Sequence, residues 1–200
     1  MKKSFSMLLL TTIVLGGTLA TGALPVSASQ VFNSSEKAIS PVFKNQSENL
    51  IKNGDFSNGL DSWQVATYDA GTITVKQEQD SNYVQLTHPT TESVSAIMQD
   101  IPSAQLKKYK LSFMYQGSPN GQLILEANDW KFDQHQVVGL FNLTDSSTAW
   151  HQFDREIVMP ANGFLANWDS LTTGFIGGYK DQPATNTPLN IKNVQLTEIS

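Results

Sequence analysis

From Asn49 onward, apolar and polar residues alternate at a period of two in one short stretch after another. That is the pattern of strands with one buried face. The stretches are Thr72–Val75, Tyr83–Leu86, Val94–Gln99, Tyr109–Tyr115, Leu123–Ala127, Val137–Leu143, Trp150–Met159, Leu171–Gly178 and Leu189–Ile199. Between them fall Gly, Pro, Asn and Asp, and no run in this region keeps the apolar spacing of a helix. Short strands punctuated this way predict an all-β fold, an antiparallel sandwich or barrel. In Tyr109–Tyr115 the odd positions Tyr109, Leu111, Phe113 and Tyr115 share one face, while Lys110, Ser112, Met114 and Gln116 share the other. One face is core and the other is solvated. The last stretch changes phase, with Leu189 and Ile191 in one register and Val194 and Leu196 in the opposite one. An inserted residue near Lys192–Asn193, a β-bulge, restores the alternation.

Ahead of the strands, Asn49 to Trp63 opens with Leu50–Ile51 as a short strand signal and then turns at Asn53–Gly54 and again at Asn58–Gly59. Asn–Gly is read as a tight turn because both residues tolerate positive φ. Phe56, Leu60 and Trp63 sit among these turns, and a loop can carry three such groups only by tucking them under something. They mark the start of a packed domain.

The N-terminus reads differently. Met1–Lys2–Lys3 is a positive leader, Phe5 to Leu19 is apolar, and Val26–Ser27–Ala28 offers a cleavage site, so residues 1–28 are expected to be a signal peptide. Thr11, Thr12, Gly16 and Gly17 leave the apolar run short of the ~20 residues a membrane span needs. Residues 29–48 are expected to be a linker, with Val31–Phe32 and Val42–Phe43 as pairs that could instead dock as an extra edge, and residues 49–200 the folded domain. The expectation is a secreted, extracellular protein, free or held at a cell wall, monomeric and without membrane insertion after cleavage. The absence of cysteine means that the domain depends on its core. A net charge of −5 speaks against nucleic acid and anionic membrane as partners. Abundant Asn, Gln, Ser and Thr suit a neutral polar ligand such as a sugar.

The run Asn49–Leu50–Ile51–Lys52–Asn53–Gly54–Asp55–Phe56, followed by Gly59–Leu60 and Trp63, resembles the opening of the jelly-roll carbohydrate-binding modules of bacterial cellulases and xylanases, families four, nine and twenty-two. Met98–Gln99–Asp100–Ile101–Pro102, Tyr109–Lys110–Leu111–Ser112–Phe113, Trp150–His151–Gln152–Phe153 and Ile191–Lys192–Asn193–Val194–Gln195–Leu196 are similar to later strands of that family, in the same order. The resemblance implies a jelly roll, galactose-binding-domain-like, that binds a polysaccharide or cell-wall glycan without catalysis. It also implies a structural calcium held by a Glu after Gly–Asp–Phe and an Asp in the closing strand. Here those places hold Ser57 and Lys192. An ammonium is the wrong charge for a hard cation. Either the site is lost and Lys192 replaces the metal charge, or Asp55 and backbone carbonyls still hold calcium; loss is the reading taken, with no metal and no cofactor.

Catalytic signatures are missing. Asp129, Asp154, Glu156 and Asp169 form no motif, and a glycosidase needs two carboxylates set across one bond. There is no nucleophile elbow, no cysteine, and His88, His135 and His151 are scattered. The chain is read as no enzyme. Sugar binding needs flat aromatic faces with amides and carboxylates around them. By the resemblance Trp63 and Trp150 are core residues. Trp130, among Asn128, Asp129 and Lys131, and Trp168, between Asn167 and Asp169, are the expected stacking platforms. Gln116, Glu126, Asn128 and Tyr179 complete the expected site. Arg155, in phase with Phe153 and Ile157, is either paired at a core edge or aimed into the cleft. The rivals are a protein-binding sandwich without a sugar site, and a small glycosidase on the same fold. The first turns on whether Trp130 and Trp168 share an exposed surface, the second on whether two carboxylates face each other within ~10 Å.

Overall fold

The structure is a computed structural model that describes residues 48–145, 147–162 and 167–199. The expected signal peptide, and the linker up to residue 47, lie outside the described residues. Ten strands follow one another: β1 (Gln64–Tyr68), β2 (Ile73–Glu78), β3 (Ser81–His88), β4 (Val94–Pro102), β5 (Lys108–Gln116), β6 (Gln122–Asp129), β7 (Gln134–Asn142), β8 (His151–Val158), β9 (Ser170–Gly178) and β10 (Thr185–Ile199). Two five-stranded sheets, β1-β4-β9-β6-β7 and β2-β3-β10-β5-β8, are antiparallel throughout. The all-β sandwich expected from the alternation is present. β1 was not foreseen, because Gln64–Val65–Ala66–Thr67–Tyr68 is exposed or half-buried throughout and so lacks a strong apolar period.

Inner faces make the core. Ile97, Ile101, Leu123, Leu125, Leu171 and Phe175 of the first sheet meet Val84, Leu86, Leu111, Phe113, Phe153, Leu189 and Ile191 of the second, all buried. Phe113 joins the layers, stacked on Phe153 at 4.6 Å and edge-on to Phe175 at 4.9 Å. The phase break in β10 is real. Its register against β5 shifts between Lys192 and Gln195, where Asn193 adopts a left-handed φ of 55°. Both Ile191 and Val194 are thereby kept inside.

The Asn49–Trp63 stretch packs as a loop, not a strand, although the Leu50 amide donates to Leu196 O at 2.7 Å. Asn53 organises both turns: its amide donates to Gly59 O and Asp61 O, and its Oδ1 accepts from Asn58 N. Only Asn53 of the first Asn–Gly pair has positive φ, at 52°. Gly54 is needed for a different reason, since a Cβ there would lie 2.1 Å from Val194 O. Phe56 and Trp63 are buried together, and the Trp63 indole N–H donates to Asn53 O at 3.1 Å.

Trp150 corrects an expectation. It is not in the core but half-buried on the outside of the second sheet, where Lys192 Nζ sits 3.9 Å from its ring centroid, Tyr83 meets it edge-on, and its indole N–H donates to Glu78 Oε2 at 2.8 Å. Tryptophan is amphipathic enough to cap a sheet from outside, which a residue pattern does not distinguish from a core position. Arg155 is exposed on edge strand β8, its guanidinium 5.5 Å from the Phe153 ring and donating to Asp154 O. Of the two readings of Arg155, paired at a core edge or aimed into a cleft, the edge position is the closer, but among the described residues no carboxylate pairs with it.

Candidate functional site

The two sheets offer two outer faces, and their polar groups are disposed differently. On the second sheet, amides link across the strands. Gln85 Nε2 donates to Asn190 Oδ1 at 3.2 Å, Asn190 Nδ2 to Gln116 Oε1 at 2.7 Å, and Gln116 Nε2 to Thr148 O at 2.7 Å. Next to this ladder lies the Trp150–Lys192–Glu78 cluster. These three amides are engaged internally, and Gln116 belongs to this face.

On the first sheet, alternation with the buried residues turns Gln64, Met98, Asp100, Ile124, Glu126, Thr172, Gly174 and Ile176 outward. Register places them in rows across the strands: Gln64, Met98, Gly174, Ile124 and Leu140 in one, Asp100, Thr172, Glu126 and Val137 in the next. The first row is an aliphatic floor, with Leu140 exposed at the edge; the second is polar. Asp100 accepts from Thr172 Oγ1 and, at 2.9 Å, from Gln64 Nε2. Glu126 is half-buried, and burial pushes its carboxyl above the usual carboxylate range, with the negative charge of Asp100 adding and His135 opposing.

Because the folded state holds that proton more tightly than the unfolded chain, stability falls as pH rises through the carboxylate range up to the raised value. Glu126→Gln is therefore expected to melt above the parent at pH 7, with the difference closing as pH falls through that range, in paired thermal melts at a series of pH values.

At the same end of this sheet, the β6–β7 hairpin carries Trp130 and Phe132 in the open, 56% and 57% exposed. The loop is pinned by Asp129, itself buried, whose Oδ1 accepts from Lys131 N and Phe132 N and whose Oδ2 accepts from Asn167 N at 2.8 Å. A carboxylate taking three backbone donors gives an exposed aromatic tip a fixed base.

The six residues expected at the site do not converge. Trp130, Glu126 and Asn128 lie at one end of the first sheet, Gln116 is on the opposite side of the sandwich, and Tyr179 follows the far end of β9, half-buried. Asn128 is 1% exposed and donates to Thr172 Oγ1 at 2.8 Å, so it supports the floor from within. Trp168 is 9% exposed, its indole N–H on Ala161 O at 3.1 Å, and presents no face for stacking. Its acidic and amide neighbours are exposed while the ring turns inward, as alternation from Asn167 to Asp169 allows. Asp100, Thr172, Gln64 and the aliphatic floor were missed, since only strand pairing gathers them. The Asp100 phase within Met98–Pro102 was the one available signal.

The residues at the expected calcium position do not suit that ion. Asp55 Oδ1 already accepts from Ser57 N and Oγ, and the Lys192 ammonium is engaged by Trp150 and Glu78. Among the described residues, no three His, Cys, Asp or Glu side chains cluster so as to hold a metal ion.

Residues 48–167, more than half of the sequence, match the carbohydrate binding domain family CBM_4_9. The chain belongs to this family. Among curated proteins none matches it in sequence. Among solved structures, the chain is similar to TmCBM61, determined with β-1,4-galactotriose, at 16% identity and a TM-score of 0.51, over 76% of this chain and 100% of that one. It is similar to the enzymatically active domain of tailspike protein 4 of bacteriophage CBA120 at 14% identity and a TM-score of 0.57, over 76% of this chain but only 21% of the tailspike chain. The Stig cyclase Fisc from Fischerella sp. TAU is similar at 13% identity and a TM-score of 0.52, over 76% and 96%. These likenesses concern the fold, which carries catalysis in some proteins and binding in others. Family membership makes this carbohydrate-binding module's ligand a sugar, and no helix among its described residues is long and apolar enough to cross a membrane.

Proposed function

We propose that this module binds a polysaccharide chain non-catalytically on the outer face of its first sheet, as a secreted protein acting on a cell-wall or environmental glycan. The observation that carries the reading is the contrast between the faces. The first sheet sets an aliphatic row (Met98, Ile124, Leu140) beside a polar row (Asp100, Thr172, Glu126) whose Glu126 carboxylate is unpaired among the described residues, with the exposed Trp130 just beyond the end of β6, whereas on the second sheet Gln85, Asn190 and Gln116 pair with one another. Pyranose rings present apolar C–H faces and hydroxyl edges, so a floor beside a hydrogen-bonding row matches both. Five strands spaced 4.7–4.9 Å apart make the face about 19 Å wide, room for several sugar rings. Asp100 and Glu126 stand side by side on one floor, separated by the Thr172 strand, and point the same way. A glycosidic bond laid on that floor has both carboxylates beneath it, not one on each side, and a binding role follows.

Trp130→Ala should lose about 1 kcal/mol or more of binding, a fivefold or greater drop in retention in polysaccharide affinity gels, because a stacked ring is removed. Its melting temperature should stay close to the parent's, the ring being mostly in solvent. Undiminished retention by Trp130→Ala would move the site elsewhere, and no retention by the parent on any polysaccharide would favour a protein-binding role.

A further inference from the structure

Charge is divided between the two sheets. The strands of the second sheet contain Lys76, Lys108, Lys110, Arg155 and Lys192. The strands of the first contain no lysine or arginine at all, while Asp100 and Glu126 are turned outward on its face. Two strand spacings, about 9–10 Å, separate the two carboxylates, with the small Thr172 side chain between them. Each is a neighbour of a different kind. Asp100 has donors in Thr172 and Gln64, but the Glu126 carboxylate has no ion-pair or hydrogen-bond partner among the described residues, although half-buried.

A second observation points the same way. Asn128, 1% exposed, lies on the same side of β6 as Glu126 and donates to Thr172, yet its Oδ1 accepts nothing from the described residues. A half-buried carboxylate and a buried amide oxygen, both on β6 beside Thr172 and both without donors among the described residues, describe a place short of hydrogen-bond donors. The strands of this sheet supply no ammonium or guanidinium, and the rim places one lysine, Lys52, in a cleft with Asp100 and not with Glu126. Lys180 is paired with Glu92 at 3.1 Å, Lys131 lies over Phe132, and Lys52, in the cleft with Asp100, makes no ion pair among the described residues. His135, opposite Asn128 on β7, is a titratable group that bears on Glu126 and could add charge.

We propose that Glu126, with Asp100, makes this face selective for a glycan bearing free amino groups, a hexosamine polymer lacking some of its N-acetyl groups; the inference rests on the glycan-binding reading of the first sheet. An ammonium laid over Thr172 is attracted by both carboxylates and donates to Glu126. A uronic acid or sulfate in that place meets two like charges with no lysine or arginine strand neighbour to offset them. An N-acetylated ring brings neither the charge nor the compact donor.

The experiment titrates the full chain, in mildly acidic buffer of low ionic strength, with a soluble β-1,4-glucosamine polymer and with the same polymer re-N-acetylated. An uncharged β-1,4-glucan and its carboxymethylated form are run beside them. The expected result is at least about tenfold tighter binding of the amine polymer than of its acetylated form, with the carboxymethylated glucan weakest. Glu126→Gln should reduce the amine-to-acetyl ratio about fivefold or more, and Glu126→Lys should invert it. Glu156→Gln, an equal change of net charge on the exposed second sheet, should keep the parent's ratio. Equal binding of aminated and acetylated polymers, or a ratio lowered equally by Glu156→Gln, overturns the selectivity and leaves the glycan face standing. Failure to bind any of the four polymers overturns the glycan reading and the selectivity with it.

Discussion

Trp63→Ala should destabilise the domain by about 3–5 kcal/mol, the range for removing a buried aromatic and leaving a cavity. Trp63 is 7% exposed, packs on Phe56 at 5.5 Å and Phe175 at 6.2 Å, and closes the double turn through its hydrogen bond to Asn53 O. The loss would be a large share of the 5–15 kcal/mol that holds a typical domain folded. Because Asn53 also holds Asn58, Gly59 and Asp61, loosening Trp63 should disorder both turns together. Urea denaturation followed by tryptophan fluorescence measures it. A cost under about 1 kcal/mol would mean that the turns are held by Asn53 alone.

Trp168→Ala should cost a similar 3–5 kcal/mol, and should not act as a selective sugar-binding variant. Its ring belongs to the core cluster with Leu171 and Phe175, and its backbone N–H donates to Asn162 Oδ1 while Asn167 N donates to Asp129 Oδ2. Removing the ring should therefore also loosen the Asp129 clamp under the Trp130 loop. Any loss of glycan retention by Trp168→Ala should track its unfolded fraction. A folded Trp168→Ala protein that has lost retention would show that the ring reaches the ligand after all.

The tryptophans show where residue patterns run out. Four rings in similar company divide into a core anchor (Trp63), a buried clamp (Trp168), an outer-face cap (Trp150) and an exposed tip (Trp130). Sequence context separates an aromatic near apolar neighbours from one near amides, and that was enough to bury Trp63 and expose Trp130. It fails for Trp150 and Trp168, since the ring's direction depends on what the opposite strand or loop presents. The same holds for Asn128, polar by type and in phase with the outer face, yet covered once β9 brings Thr172 against it.

Most of the fold was legible because a two-residue period records which side of each strand is buried, a local property of the chain. The bulge at Lys192–Asn193 was legible for the same reason: a phase change has no other remedy that keeps Ile191 and Val194 both inside. Local pattern was enough for the sandwich, for every strand but β1, for the anchoring Asn49–Trp63 loop and for the carbohydrate-binding kinship. Tertiary structure alone decided the strand order β1-β4-β9-β6-β7, and with it the meeting of Asp100, Thr172 and Glu126 from residues far apart in the chain. The physical reason is that strand pairing depends on long-range hydrogen bonds and packing, so the chemistry of a face assembled from five strands is written in no one of them.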